Sequence, residues 1–145
     1  MNSTTDDDAK LAVVRDMVAA WHARDWKKVA DLFTEDGVLH SMMVEPVRGR
    51  PAIAARIAHL GAGIERITLD IRHLGVIDGS VFMERVDRFV YMGKTGAVPV
   101  TGVLEIEGDR VKVWREYYDR HMLLREMGVV EDFAHSVPRP GQAAD

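Results

Sequence analysis

Arg85 and Asp87 lie two residues apart in a run that reads as a β-strand, and Trp114 and Glu116 lie two apart in a later one. Residues two apart on a strand share a face. If both faces line one cavity, an arginine is held between two carboxylates inside an otherwise apolar protein. Charge is tolerated there only when paired and hydrogen-bonded. Two carboxylates in unequal surroundings can then hold different protonation states, which paired acid and base chemistry needs. Periodicity leaves the orientation open. Met83, Arg85, Asp87, Phe89 and Tyr91 form one face of the first strand, and Phe82, Glu84, Val86, Arg88 and Val90 the other. On the second strand Trp114, Glu116 and Tyr118 oppose Val113, Arg115, Tyr117 and Asp119. The alternative is a solvated ladder of cross-strand ion pairs, each worth under ~1 kcal/mol.

The elements that must position these residues follow from period and punctuation. Thr5 with Asp6, Asp7 and Asp8 reads as a helix N-terminus, and Leu11, Val14, Met17, Val18 and Trp21 recur at helical spacing. Asp25 caps a second short helix with Trp26, Val29, Leu32 and Phe33 on one face, ended by Asp36-Gly37. Val38 to Met43 reads as a strand and Glu45 to Arg50 as a loop. Pro51 suits the first turn of a third helix that stops at Gly61. The period then becomes two. Ile67, Leu69 and Ile71 alternate with polar residues, and Asp78-Gly79 marks a hairpin. Strands are expected at Val81–Tyr91, Val98–Glu107 and Val111–Tyr118, with turns at Lys94-Thr95-Gly96 and Gly108-Asp109. Gly102 in mid-strand suggests a bulge, and Met122–Met127 a short last helix. Helices followed by a strand meander argue an α+β fold. The expected form is a cone, a curved mixed or antiparallel sheet with three to four helices enclosing a pocket. One domain is expected over residues 1–136, with a loose tail at 137–145.

Composition narrows the partners. The chain has 145 residues, 47% of them apolar, which is enough for one real core. A net charge of -4 argues against nucleic acid or an anionic membrane as partner. No apolar run is long enough to span a bilayer, and the acidic start does not read as a signal peptide. The expected location is the cytoplasm, and the expected partner an apolar small molecule. There is no cysteine, hence no thiolate nucleophile or disulfide framework. The six histidines, His22, His40, His59, His73, His121 and His135, show no metal-ligand spacing, so no metal is expected.

Three segments carry a resemblance. Glu84-Arg85-Val86-Asp87, Gly108-Asp109-Arg110 and Trp114-Arg115-Glu116-Tyr117-Tyr118-Asp119 resemble the limonene-1,2-epoxide hydrolase family. That family belongs to the NTF2-like group, with ketosteroid isomerase and the SnoaL-like cyclases. The fold-level likeness runs from the first helix to about Met127. It implies a cofactor-independent, one-step hydrolysis of an apolar epoxide by an Asp–Arg–Asp triad, and a homodimer formed through Val86, Val90, Val113 and Tyr117. Carried onto this chain, Asp87 is the general acid, Arg85 the bridge and Glu116 the base, with burial and substrate contact favouring a proton on Asp87. Protonating the leaving alkoxide removes the worst charge of ring opening.

Two departures matter. Glu116 stands where the family has Asp, which moves the carboxylate by roughly 1.5 Å. The Tyr and Asn that help hold the water fall on Leu39 and Ser41, with Tyr118 or His40 as replacements. Leu39, Ser41, Met42, Phe89, Trp114 and Tyr118 are the expected substrate-binding residues. The loss of Tyr and Asn favours a rival, an isomerase or SnoaL-like cyclase that moves a proton next to a carbonyl. A non-catalytic small-molecule-binding domain is the third reading.

Overall fold

Apolar residues three and four apart place Val14, Met17 and Val18 on one stripe of helix α1 (Ser3–His22), and that stripe is buried. The computed structural model describes residues 3–130. The expected tail at 137–145, the domain limit at 136 and His135 lie outside the described residues. Because α1 begins at Ser3, Thr5 lies within the helix and is not its cap. Helix α2 (Trp26–Asp31) is capped as expected, with the Asp25 carboxylate accepting from Lys28 N at 3.1 Å. Helix α3 (Arg50–Gly61) opens with Pro51 in its first turn and buries Ile53 and Ile57.

The strands are β1 (Phe33–Ser41), β2 (Val47–Arg48), β3 (Ile64–Ile77), β4 (Ser80–Tyr91), β5 (Lys94–Glu107) and β6 (Arg110–Tyr117), followed by helix α4 (Arg120–Met127). They form one sheet in the order β2-β1-β6-β5-β4-β3. Among the described residues only β1 and β6 run parallel, so the sheet is mixed. Register shifts at Phe33/Val38, Ile64/Arg66, Ile71/His73 and Glu105/Ile106 bend it.

Several boundaries differ from the sequence reading. Asp36-Gly37 does not end the second helix; it sits in the irregular part of β1, which begins at Phe33. Phe33 is fully buried, and the apolar pattern serves a strand start as well as a helix face. Residues 47–48 form a short strand inside the expected loop. The β4–β5 turn is Met92-Gly93, both with positive φ, and not Lys94-Thr95-Gly96. Gly96 has another role: a Cβ there would stand 2.6 Å from the Glu126 carbonyl oxygen, so its bare backbone lets α4 pack directly on β5. Gly102 is no bulge, since it pairs in regular register with Met83 and Glu116.

The four helices among the described residues pack on one face of the sheet. Val14, Met17, Ile53 and Ile57 meet Leu69, Val81, Met83, Leu104 and Trp114 in one apolar cluster. A second cluster, Phe89, Val98, Val100 and Met127, lies toward α4. The other face carries the solvated ladder that the sequence left as an alternative: Asp70 with Arg88 at 3.5 Å, His73 with Glu84 at 2.7 Å, and Glu105 with Arg115. These exposed pairs add little stability.

Candidate active site

On β4, Val81, Met83, Arg85 and Phe89 are buried while Glu84 and Arg88 are exposed. Alternation therefore turns Arg85 and Asp87 inward, to the place where the two apolar clusters part. Arg85 is only 3% exposed. Its Nε donates to Asp87 Oδ1 at 2.7 Å and its Nη2 to Asp87 Oδ2 at 3.1 Å. Its Nη1 donates to Glu116 Oε2 at 3.0 Å, and Nη2 also donates to Glu116 Oε1. One guanidinium thus holds two carboxylates, each through both oxygens, a geometry only arginine offers. The guanidinium carbon lies 5.7 Å from the centre of the Trp114 ring, which stacks in turn on Phe33.

Charge decides what this cluster can do. Burial works against the charge on Arg85, but Glu116 and Asp87 outweigh it and hold the guanidinium protonated. With both carboxylates ionised the cluster carries one net negative charge, and a single proton neutralises it. Burial pushes Glu116 above its usual value, against the pull of Arg85. Burial thus favours the neutral form of Glu116, while the sequence-based expectation puts the general-acid proton on Asp87. Among the described residues no acceptor meets the buried Trp114 Nε1–H at hydrogen-bonding geometry, and it lowers the Glu116 pKa less than Arg85 does.

The cluster forms the polar floor of a cavity of about 160 Å³. Leu39, Ser41, Phe89, Trp114 and Tyr118 line it, together with Arg85, Asp87 and Glu116. Met42 does not. It is 38% exposed, because β1 ends at Ser41 and residue 42 lies in the turn that follows. The sequence reading missed much of the apolar wall, including Leu69, Val98, Val100, Leu123 and Met127. Alternation along β3 and β5 carried the signal for Leu69, Val98 and Val100, but which strand face closes on a cavity depends on the helices.

Three polar lining residues, Glu45, Arg56 and Arg120, were missed, and Arg120 touches the site's hydrogen bonds. It is buried, and its Nη1 donates to the Tyr118 hydroxyl at 2.6 Å. An arginine can only donate, so the Tyr118 proton goes onward to Ser41 Oγ, 2.9 Å away. That leaves the Ser41 proton to be donated in turn. Ser41 pairs in register with Glu116 on the neighbouring strand, so this hydroxyl stands at the Glu116 end of the cluster. Of the two replacements expected for the lost Tyr and Asn, Tyr118 is joined to Ser41, whereas His40 is bonded to the Val44 carbonyl at 3.1 Å. Burial raises the Tyr118 pKa, with Ser41 and Arg120 opposing it, so the phenol keeps its proton.

Residues 14–114 match the family model of the SnoaL-like domain, a span that takes in Arg85, Asp87 and Trp114. The chain belongs to the SnoaL-like domain family. Solved structures place this SnoaL-like protein in the NTF2-like fold. A LEH-like epoxide hydrolase from M. tuberculosis is similar at a TM-score of 0.73 and 20% identity, over 83% of this chain and 90% of that one. A Xanthomonas campestris protein named as a polyketide cyclase gives 0.75 and 18%, over 84% and 98%. A Catenulispora acidiphila protein with a ketosteroid isomerase-like fold, solved with trimethylamine, gives 0.71 and 24%, over 87% and 97%. At these identities the likeness is one of fold, and the reaction must be argued from the site.

Proposed function

We propose that this SnoaL-like protein hydrolyses an apolar epoxide in one step, without a cofactor. The observation that carries the reading is the Arg85 bridge between two carboxylates on the floor of an apolar cavity. The oxygen of a water molecule bonds to an epoxide carbon while the carbon–oxygen bond of the ring breaks. Asp87 gives its proton to the departing oxygen, and Glu116 takes one from the water, so the product is a neutral diol. Ser41 donates a hydrogen bond to that water and turns its protons toward Glu116. An apolar substrate lying over Asp87 strips away its remaining solvent and favours the neutral carboxyl there. Water kept against Glu116 favours its carboxylate. Turnover leaves the proton on Glu116, where burial favours it, and the next substrate moves it back.

The test is a panel including limonene oxide and cyclohexene oxide in ¹⁸O-labelled water under single turnover. Solvent label in the first-formed diol is the expected result, since no covalent intermediate intervenes. Unlabelled first-turnover product would mean attack by a side chain and would end this reading. Ser41→Ala should lower kcat about 3- to 10-fold with little change in KM, the size of one lost hydrogen bond.

One observation favours a second reading. Burial raises the Glu116 pKa against the pull of Arg85, and a neutral Glu116 beside the Ser41 hydroxyl would make two donors for an oxyanion, with Asp87 left as base. Such a site would move a proton next to a carbonyl, as an isomerase or cyclase does. Exchange of α-protons of cyclic ketones with D₂O, with no diol from any epoxide, would decide for it. Ligand binding without either reaction would leave a binding domain.

A further inference from the structure

The inward row of β5 reads Val98, Val100, Gly102, Leu104, on alternate positions and all buried. A wall of branched aliphatic side chains is interrupted once, at Gly102. Its neighbours across the sheet are Met83 on β4 and Glu116 on β6. Strand β5 therefore runs between the strand that bears Arg85 and the one that bears Glu116. Two strand spacings, on the order of 10 Å, separate those backbones. The two side chains meet in that gap above Gly102. A Cβ at this position would stand 2.6 Å from Glu116 Oε2, 2.9 Å from Arg85 Nη1 and 3.1 Å from Trp114 Nε1. Gly102 is not among the glycines with positive φ, so the requirement is for empty space and not for backbone freedom.

We propose that Gly102 is a positioning residue, and that the bare strand at 102 and the long acid at 116 are a matched pair that lets Arg85 and Glu116 join across β5. An aspartate at 116 would withdraw the carboxylate toward β6 by roughly 1.5 Å and leave the space above residue 102 partly empty. Any side chain at 102 would fill the space in which the longer acid now lies. The glutamate that departs from the family pattern and the glycine that interrupts the β5 wall thus have one cause. The inference concerns the same cluster as the hydrolase reading but rests on the ion pair, so it stands or falls without any turnover being seen.

The test is a double-mutant cycle of Gly102→Ala with Glu116→Asp, read by thermal midpoint and by ¹³C NMR of labelled glutamate carboxyls. In the Glu116 background Gly102→Ala should lower the midpoint by about 5 °C or more. In the Glu116→Asp background the same change should lower it by less than half as much, because the shorter acid no longer needs that space. In the single variant the Glu116 carboxyl should also titrate at higher pH than in wild type, since it is pushed off Arg85. Equal losses in both backgrounds, or an unmoved Glu116 titration, would overturn the pairing. If Gly102→Ala alone does not fold, a folded double variant supports the inference, and failure of both to fold counts against it.

Discussion

Asp87→Asn is expected to cut turnover by about 10²- to 10⁴-fold, the usual range for losing a general acid, while ligand affinity stays close to wild type. The two side chains have nearly the same shape. Asparagine can still accept from Arg85 through its carbonyl oxygen, so the 2.7 Å bond from Nε survives. What disappears is the proton that a carboxyl can surrender to a departing alkoxide; an amide N–H can donate a hydrogen bond there but cannot transfer its proton. The variant also leaves Arg85 with Glu116 as a neutral pair, so the fold is not asked to bury a new charge. Single-turnover diol formation and calorimetric binding of the diol, run on both proteins, separate the two effects. Wild-type rates in the variant would remove Asp87 from the chemistry. Parallel loss of rate and binding would make it a binding residue only.

Much of this arrangement is legible in the residues alone, for reasons that differ by element. Asp25, Pro51 and Asp78-Gly79 act locally, through a side-chain cap, a fixed φ and a left-handed turn, and each does in the structure what its type predicts. Arg85, Asp87 and Glu116 converge because alternation puts each on one face, although the pattern on β4 was too mixed to say which face. The helices decide that, by covering Val81, Met83 and Phe89. The errors are tertiary in origin. Gly96 reads as a turn because only the packing of α4 shows why a side chain is excluded there. Met42 reads as a wall residue because the expected strand ran to residue 43, whereas the chain turns after Ser41. Arg120 was invisible because its role depends on a tyrosine two residues earlier, in the bend between β6 and α4.

Arg85→Leu is expected to be the most destabilising single change in the site, and its effect should grow with pH. The substitution leaves Asp87 and Glu116 facing each other in an apolar setting without the cation that holds both. Breaking a buried pair by removing one partner costs about 3–5 kcal/mol, which for a domain of this size lowers the thermal midpoint by on the order of 10 °C at neutral pH. The pH dependence follows from Glu116. Its folded pKa already lies above the ordinary glutamate value of 4.5, because burial outweighs the charge and hydrogen bonds of Arg85. A carboxyl raised on folding binds more protons in the native state, so its contribution is fully present below the unfolded pKa and is lost as pH rises through the folded one. Removing Arg85 takes away the two largest influences that oppose burial, so the folded value climbs further and the loss extends to higher pH. The difference in midpoint between wild type and variant should therefore be smallest near pH 4 and widen toward pH 8. Arg85→Lys should fall between them, since it keeps the charge but not the fork that engages both carboxylates. A gap that stays constant across that pH range would show that Glu116 does not depend on Arg85 for its ionisation, and the acid–base pairing would lose its physical basis.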